Sequence, residues 1–277
     1  MYKQQPIFIA TMHGKEQVIA PFFKQEFQAE PFVSSSFDTD QFGTFTKEIE
    51  RIDNPLETLR KKCNEGHQFS SCPVIVASEG SFGPHPSMPF TNANEEIVML
   101  KDFKSDIEVT GKYLSTSTNL FEKEIKSEID FSNALAEIGF PDHGVIIRDI
   151  NQDKVLLKSE KDLSVLMDFV TASIQKGISL SVSSDMRAFF NPTRMQNIEK
   201  ATEDLIQKLK ICCPSCETPG FAVVEVKPGL PCGQCGLPTR SILYRILRCQ
   251  KCKKEKFIKF PNNIKTENPM YCDFCNP

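Results

Sequence analysis

The chain has 277 residues, of which 40% are hydrophobic and 25% are charged, and its formal net charge at pH 7 is −3. This composition is ordinary for a soluble globular protein, and the length allows one large or two smaller domains with full cores. No run of about 18 apolar residues occurs, so we expect neither a membrane span nor a membrane partner. The apolar stretch near the N-terminus is too short for a secretory signal, so we expect a cytoplasmic protein.

The cysteines divide the chain into two regions. Nine of the eleven lie between residues 212 and 277, where ten basic residues outnumber five acidic ones. We therefore predict two domains, residues 1–211 and residues 212–277. The first is predicted to be a mixed-sheet α/β body that is catalytic or binds a ligand, and the second a zinc-ribbon-like β domain with Cys₄ sites.

The first predicted elements are a strand over Pro6–Thr11 and a helix over about Lys15–Phe27. The loop between them carries His13 and ends at Lys15. A helix N-terminus presents unpaired N–H groups and a partial positive charge, so this loop suits an anion such as phosphate. The alternative is that Lys15 is a solvated surface lysine.

An acidic loop follows the second predicted strand, Phe32–Ser36. It contains Asp38, Asp40 and Glu48 among glycine and hydroxyl-bearing residues. Carboxylate oxygens are hard ligands that suit Mg²⁺ or Mn²⁺, so the loop is a candidate for metal binding. A solvated acidic loop is the alternative. A helix with proline in its first turn is predicted next, over Pro55–Cys63.

A hydrophobic segment that turns polar abruptly is the strongest candidate for a site in the body. Its β-branched start, Val74–Ala77, predicts a strand buried on both faces. Ser78, Glu79 and Ser81 then open a loop that is rich in glycine and proline and contains His85. Open α/β sheets commonly present a site where a buried strand delivers a carboxylate into such a loop. The alternative is a strand followed by an ordinary turn.

The rest of the body is predicted to contain further strands and helices. Strands are expected over Glu96–Leu100, Ile107–Tyr113, Val145–Ile147 and Ile178–Val182, and helices over Phe131–Ile138, Lys161–Ile174 and a last segment ending near Lys210.

A polar segment precedes that last helix. Arg187 and Arg194 can each form a bidentate pair with a phosphate or a carboxylate, and Asp185 could hold one of them in place. The alternative is a structural Asp–Arg pair, followed by a turn at Asn191 that precedes the helix. The segment is therefore a second candidate for substrate binding.

Four C-x-x-C pairs characterise the C-terminal region, joined by segments that resemble strands. Two such pairs complete a tetrahedral thiolate shell, so we expect two structural Zn²⁺ ions that stabilise the fold and do not catalyse. Disulfides and an iron–sulfur cluster are the less favoured alternatives. Pairing of consecutive C-x-x-C pairs is favoured over a crossed arrangement, and Cys212 is expected to be no ligand. The predicted ligands are Cys213, Cys216, Cys232, Cys235, Cys249, Cys252, Cys272 and Cys275.

Over nearly its whole length the chain resembles an uncharacterised bacterial family, a domain of unknown function. The resemblance is carried by Ala10–Lys15, Asp38–Asp40, Ala77–Pro86 and the Asp185–Met195 segment, together with the cysteine-rich end. This likeness implies no activity.

The first 120 residues also resemble, more weakly, the inosine-triphosphate pyrophosphatases and the Maf-like nucleotide pyrophosphatases. Those families place a Thr/Ser-x-Asn-x-x-Lys motif after the first strand, and Thr11, His13 and Lys15 stand at the similar place here. The resemblance implies an acidic residue at Glu48 and a metal-binding carboxylate at Glu79. The sequence departs from these families in lacking the asparagine and in carrying the cysteine-rich end.

The favoured function is a Mg²⁺-dependent hydrolase of a phosphate-containing small molecule. A nucleoside triphosphate is one candidate substrate. The alternatives are a non-enzymatic zinc-ribbon protein that docks a nucleic acid or a protein through its basic end, and a degenerate enzyme fold kept for structure. The candidate catalytic residues are Glu79, Asp38, Asp40, Glu48, His13 and His85. The candidate substrate-binding residues are Lys15, Thr11, Ser78, Ser81, Asp185, Arg187, Asn191 and Arg194.

Overall fold

The computed structural model of the protein describes residues 2–39 and 54–277. The chain separates into two compact units, Met1–Lys104 with Thr110–Ile206, and Ser105–Val109 with Gln207–Pro277. The expected α/β class with a cysteine-rich β region is confirmed. The domain boundary at residue 211 stays a prediction, because compactness does not test independent folding. Within the described ranges, no helix has both the length and the apolar character needed to cross a membrane.

A five-stranded mixed sheet forms the centre of the first unit, with the strand order β2-β1-β3-β4-β5. Strand β1 runs parallel to both β2 and β3, whereas β3 and β4 are antiparallel. The strands are β1 (Pro6–Ala10), β2 (Glu30–Phe32), β3 (Val74–His85), β4 (Met88–Asp102) and β5 (Ile107–Ser115).

The second strand lies earlier in the chain than predicted. Its residues pair with β1 from Glu30 to Phe32, and a turn follows in which the amide of Phe37 donates to the carbonyl of Ser34. The Ser34 hydroxyl accepts from the amide of Ser36 and stabilises that turn. The serines therefore end the strand instead of extending it, as hydroxyl-bearing residues often do in turns.

Helices α1 (Glu16–Phe27) and α2 (Pro55–Ser70) belong to this unit. Asn54 caps α2 by accepting from the amide of Glu57, as expected for a helix with proline at its start. The prediction that α2 ends at Cys63 was wrong, because Gly66 is a packing position and not a helix stop. A Cβ at Gly66 would lie 3.2 Å from the Cβ of Ala10, closer than ordinary van der Waals contact, so glycine favours the close packing of α2 on β1.

The segment after Ala77 is the continuation of strand β3, and the prediction of a glycine-rich loop there was wrong. Residues from Val74 to Pro84 pair one by one with β4, so the hairpin hydrogen bonds satisfy the backbone of the polar stretch. The proline ring and the glycines do not break the strand because the antiparallel partner continues beside them. The two strands form a long hairpin whose distal residues are exposed, including Phe90 near the turn.

A four-stranded antiparallel sheet with two helices forms the second part of the first unit. The strand order is β6-β9-β7-β8, and the core contains Phe131, Leu166 and Val182. Strands β6 and β8 were not predicted. The elements are β6 (Glu122–Ile125), α3 (Glu128–Ile138), β7 (Val145–Asp149), β8 (Lys154–Lys158), α4 (Leu163–Gln175) and β9 (Leu180–Ser184).

A short 3₁₀-helix over Ala188–Phe190 leads into α5 (Pro192–Lys210). The second unit contains the three strands that the sequence predicted, and they form an antiparallel sheet in the order β10-β11-β12. A small core forms around Phe221 and Leu247, next to two of the cysteines. The strands are β10 (Ala222–Pro228), β11 (Ile242–Arg248) and β12 (Glu255–Lys259).

Candidate functional site

The chain leaves the parallel strands β1 and β3 in opposite directions. Strand β1 connects through α1 to β2 on one side, whereas β3 turns into β4 on the other. In open α/β sheets this arrangement opens a crevice at the carboxyl end of the strands, where ligands usually bind. Thr11 and Ser78 follow the last paired residues, Ala10 and Ala77, and therefore lie at this end of the paired strands.

Strand alternation distributes two buried glutamates between the faces of the sheet. Glu79 lies opposite Ile97 in the register, whereas Glu96 lies opposite Gly80, so the two side chains point to opposite faces. Glu79 Oε2 lies 2.5 Å from the ammonium group of Lys62 on α2. Both side chains are almost fully buried, and an ion pair in that environment needs close contact to offset desolvation.

The second glutamate pairs with α5. Glu96 Oε1 lies 2.8 Å from Arg194 Nε, and both side chains are buried. Arg194 also donates from Nη1 to the carbonyl of Met186, and its guanidinium lies 5.4 Å from the centre of the Phe82 ring. A Cβ at Gly80 would come within 2.4 Å of Glu96 Oε1, so the carboxylate occupies space that only glycine leaves.

Three asparagines fix this pair in place. Asn94 donates to Glu96 Oε1 (3.0 Å), and Asn197 donates to Asn94 Oδ1 (2.7 Å). Asn191 accepts from the backbone amide of Arg194 with its side-chain oxygen. The second carboxylate oxygen of Glu96 and the hydroxyl of Ser78 are both buried, and neither has a hydrogen-bond partner among the described residues. Buried polar atoms of this kind call for a water or a ligand.

Lys15 lies at the start of α1 and is only 7% exposed. Its side chain makes no hydrogen bond and no ion pair with the residues that the structure describes. The pKa of Lys15 is lowered from 10.5 to about 7, first by burial and then by the positive charges of Arg194 and Lys62, while Glu79 and Glu96 oppose this effect. Lys15 is therefore a third cation beside two carboxylates that already have partners.

The loop before Lys15 has an unusual backbone. His13 and Gly14 both adopt positive φ angles, 64° and 73°, which brings the chain sharply from β1 into α1. A Cβ at Gly14 would lie 3.1 Å from the Phe189 ring, so the loop packs beside the 3₁₀-helix that precedes α5. This contact places the start of α1 near the start of α5 and explains why Arg194 acts on Lys15.

The predicted site residues are only partly brought together. Lys15, Glu79 and Arg194 belong to one electrostatic cluster. The Thr11 hydroxyl is buried and donates to the carbonyl of Met12. Asp38 is exposed. Asp40 and Glu48 lie outside the described residues.

Two of the predicted residues lie along the hairpin. Ser81 lines a pocket of about 160 Å³ together with Phe82 and Glu95. His85 is six residues beyond Glu79 on the same strand, a separation of about 20 Å at the rise of a β-strand. The ring nitrogen of His85 accepts from the amide of Ser87. The structure therefore places His85 away from Glu79.

Asp185 and Arg187 pair with each other. Arg187 approaches Asp185 with two nitrogens, at 3.0 Å from Nε to Oδ1 and 2.6 Å from Nη2 to Oδ2. Arg187 Nη2 also donates to Ser159, and the guanidinium lies over the Phe190 ring. Asp185 is fully buried, so the pair anchors the segment before α5.

Sequence reasoning missed Lys62, Glu96, Asn94 and Asn197. Lys62 is one of three consecutive basic residues on α2, and nothing in the spacing distinguishes it. Glu96 lies at the start of a predicted strand, where its facing partner, Gly80, is defined only once the hairpin register is known.

Eight cysteines of the second unit form two groups. One contains Cys213, Cys216, Cys249 and Cys252, and the other contains Cys232, Cys235, Cys272 and Cys275; within each group the sulfurs lie within 4.8 Å of one another. The first C-x-x-C pair therefore joins the third, and the second joins the fourth. The favoured consecutive pairing was wrong, because β10, β11 and β12 bring alternate pairs together.

The sulfur geometry fits a metal. Sulfurs from different pairs lie 3.6–3.8 Å apart, and a tetrahedral ion with metal–sulfur bonds of about 2.3 Å requires roughly 3.8 Å. The distances are far too long for a disulfide. Cys212 is exposed and belongs to neither group. Each group could therefore hold one metal ion.

The backbone around each C-x-x-C pair is repeated. The amide four residues after each first cysteine donates back to that cysteine's carbonyl at 2.9–3.1 Å, at Glu217, Gly236, Lys253 and Asn276. The first three of these residues have positive φ angles. A hydrogen bond from Thr218 lowers the pKa of Cys216 to about 6, whereas contact with Cys235 raises the pKa of Cys275 to about 12. Because thiols must lose their protons to bind a metal, a bound ion would displace the protons of these cysteines.

Comparison with solved structures finds the crystal structure of protein VC0702 from Vibrio cholerae. The two sequences are 9% identical, the match covers 74% of this chain and 94% of that chain, and the TM-score is 0.33. This similarity is too low to indicate a shared fold. No curated protein matches the sequence. The resemblance to inosine-triphosphate and Maf-like pyrophosphatases is not supported by these comparisons. The model of the domain of unknown function DUF6671 matches residues 62–277, so the chain belongs to that uncharacterised family.

Proposed function

We propose that the first unit is a Mg²⁺-dependent hydrolase of a phosphate-containing small molecule, with nucleoside triphosphates as the first class to test. One observation carries the proposal: Lys15, which follows the carboxyl end of β1, is buried and forms no ion pair with a carboxylate among the described residues. Such a position in an open α/β sheet is the usual place for a ligand. A substrate anion would supply the charge that Lys15 lacks.

The electrostatics favour phosphate over an uncharged ligand. Among the described residues, Glu79 and Glu96 contact Lys62 and Arg194, and Lys15 is a further cation without such a contact. The 12-residue helix α1 starts at the same place, and its dipole adds a partial positive charge there. A bound phosphate would raise the pKa of Lys15 above its free value of about 7, so the amine would take up a proton on binding.

The described carboxylates fit a Mg²⁺ ion that arrives with its substrate. No group of three acidic side chains converges within residues 2–39 and 54–277, but Mg²⁺ needs only one or two carboxylates together with waters and substrate phosphates. Glu79 fits this role, and the ion would share its carboxylate with Lys62. Bound there, Mg²⁺ would neutralise charge on the phosphates. Lys15 would then bind and orient the phosphate.

The test is release of phosphate or pyrophosphate from a panel of nucleotides, with and without Mg²⁺. The wild type is run beside Glu79→Gln and Lys15→Met, with the exposed Lys200→Met as the matched control. We expect Mg²⁺-dependent release that falls at least 100-fold in both site variants and stays unchanged in the control. An active, folded Glu79→Gln protein would exclude the metal role, and an active Lys15→Met protein would exclude the phosphate role.

We infer that the metal in both cysteine groups is Zn²⁺. Closed tetrahedral Cys₄ shells are typical of structural zinc, and the sulfur separations support that geometry. Metal analysis should give two zinc ions per chain in a colourless protein. A coloured, iron-containing protein would contradict this assignment.

A second candidate function is a non-enzymatic module that docks a protein through the zinc-binding unit. Large apolar side chains beside the second cysteine group favour it, because Met270, Tyr271 and Phe274 are 58%, 63% and 69% exposed. Clustered exposure of this kind marks protein interaction sites. This function predicts no turnover in the nucleotide panel. It also predicts that the double variant Tyr271→Ser with Phe274→Ser no longer binds the partner. If charge reversal at Lys251, Lys253 and Lys254 abolished binding, the partner would be a nucleic acid instead.

A further inference from the structure

The hairpin of β11 and β12, with the C-x-x-C turn between them, is strongly basic. It carries seven lysine and arginine side chains between residues 245 and 259 but a single acid, Glu255. That acid already pairs with Arg248, at 2.6 Å from Nη2 to Oε1. A Zn²⁺ ion with four thiolates has a charge of −2 that two C-x-x-C pairs share, so the hairpin keeps a charge of roughly +5 with the metal bound.

Most of these positive charges are not neutralised within the described parts of the chain. Lys251, Lys254 and Lys256 are exposed and form no ion pair with a residue in ranges 2–39 and 54–277. Acids elsewhere in the second unit pair with other cations, as in the 3.0 Å contact of Asp273 with Arg240. The hairpin therefore presents a positive surface that favours an anionic partner.

An exposed aromatic ring lies among these charges. Phe257 is 56% exposed and pairs in register with Ile246, whereas Lys259 pairs with Tyr244. Opposite and alternate residues of a sheet share a face, so the Phe257 ring, the Tyr244 ring and the Lys259 ammonium lie on the same face. The ammonium of Lys259 is 5.8 Å from the centre of the Tyr244 ring.

The opposite face of the hairpin is the one that packs. Leu247 and Ile258 alternate with the residues of the aromatic face and belong to the small core around Phe221. The Phe257 ring is not part of that core, and its exposed area is available for contact with a partner.

We propose that this face of the hairpin binds single-stranded nucleic acid, with the Phe257 ring stacked on a base and the surrounding lysines on phosphates. A single strand matches both features, because each nucleotide carries one negative charge and each base offers a flat face for stacking. An acidic peptide would match the charge but not the ring. This binding function goes beyond the proposed hydrolysis and does not depend on it.

Fluorescence anisotropy of the full, zinc-loaded chain with a labelled thymidine oligonucleotide of about 12 nucleotides measures the affinity. If three lysines each neutralise one phosphate, the affinity should fall roughly 20-fold between 50 and 200 mM salt. An abasic oligonucleotide of the same length keeps the phosphates and lacks the bases. We expect it to bind at least fivefold more weakly than the thymidine oligonucleotide.

Variants separate stacking from charge. Phe257→Leu keeps an apolar side chain on the strand and removes the ring, so it should lose at least fivefold in affinity for thymidine and keep the salt dependence. Phe90→Leu, at a fully exposed ring of the first unit, is the matched control and should bind as the wild type does. Lys254→Gln with Lys259→Gln should retain the metal but reduce the salt dependence.

Three outcomes overturn the proposal. One is that the thymidine oligonucleotide does not bind, and another is that Phe257→Leu binds it as tightly as the wild type does. The third is that polyglutamate of equal charge displaces the labelled oligonucleotide as well as an unlabelled copy does. That result would assign the hairpin to an acidic protein partner instead.

Discussion

At the scale of the residue, Lys15 opposes folding whenever it is protonated. Its pKa falls from 10.5 in its ordinary state to about 7 in the fold. Since each pH unit between those values corresponds to about 1.4 kcal/mol, burial of the protonated amine costs on the order of 5 kcal/mol. A chain that keeps such a residue gives up stability, as functional sites often do.

We therefore expect Lys15→Met to stabilise the protein. The unfolded wild type keeps a proton that the folded state loses between about pH 7 and pH 10.5, so wild-type stability rises with pH across that window. The advantage of the variant should be largest below pH 7 and should shrink by about 3 kcal/mol between pH 6 and pH 9. Chemical denaturation at both pH values measures it, with Lys200→Met as the control. A gap that grows with pH would contradict the argument.

Gly80 and Gly83 lie three residues apart on strand β3 and provide a matched pair. A Cβ at Gly80 would overlap the Glu96 carboxylate, whereas one at Gly83 would meet nothing within 4 Å. We expect Gly80→Ala to displace Glu96 from Arg194 and to lower the free energy of unfolding by about 3 kcal/mol. Gly83→Ala should change it by less than about 1 kcal/mol. Equal effects in denaturant titrations would show that Glu96 does not lie over Gly80.

At the scale of the element, periodicity predicted most helices and strands but not their extents. The Phe131–Ile138 helix and the tail strands need only local patterns. Helix α2 continues through Gly66 because of β1 and β3, whose packing a local pattern does not contain. Strand β3 continues through glycines and prolines because β4 pairs with it. Strands β6 and β8 are short and show no strong alternation of polar and apolar residues, so their formation depends on pairing with neighbouring strands.

The candidate site was predictable only in part for the same reason. Lys15 and Glu79 lie next to predicted strand ends, which is a local signal. Lys62 belongs to the site because it contacts Glu79, which is 17 residues away in the sequence. Glu96 belongs to it because it contacts Arg194, which is 98 residues away. The pairing of the cysteines likewise depends on how β10, β11 and β12 associate, which the spacing of C-x-x-C pairs does not determine.

The crossed cysteine pairing predicts that the two metal sites depend on each other. The second C-x-x-C pair lies in the chain between the members of the first group, and the third lies between the members of the second. Loss of one metal should therefore unfold segments that hold the other. Cys216→Ser or Cys235→Ser should reduce bound zinc from two ions to well below one, as measured by metal analysis. Cys212→Ser should keep both, and one remaining ion in either ligand variant would show independent sites.

At the scale of the whole molecule, one chain combines two kinds of site. The first unit holds a buried charged cluster in which Lys15 forms no ion pair with a described residue, and the second holds two sulfur groups that fit metal ions. Closed metal sites stabilise structure and leave no position for a substrate. We therefore place the proposed chemistry in the first unit, and the claim to test is that Lys15 binds an anion there.

Proton uptake on ligand binding tests that claim most directly. Calorimetric titration of a nucleoside triphosphate at pH 8, in buffers of different ionisation enthalpy, measures the protons exchanged. Its phosphates are fully ionised at pH 8, and free Lys15 is mostly neutral there. We predict uptake of close to one proton per chain, lost in Lys15→Met. Two results would contradict this proposal. One is that the nucleotide does not bind, and the other is that it binds without proton uptake and binds equally well to Lys15→Met.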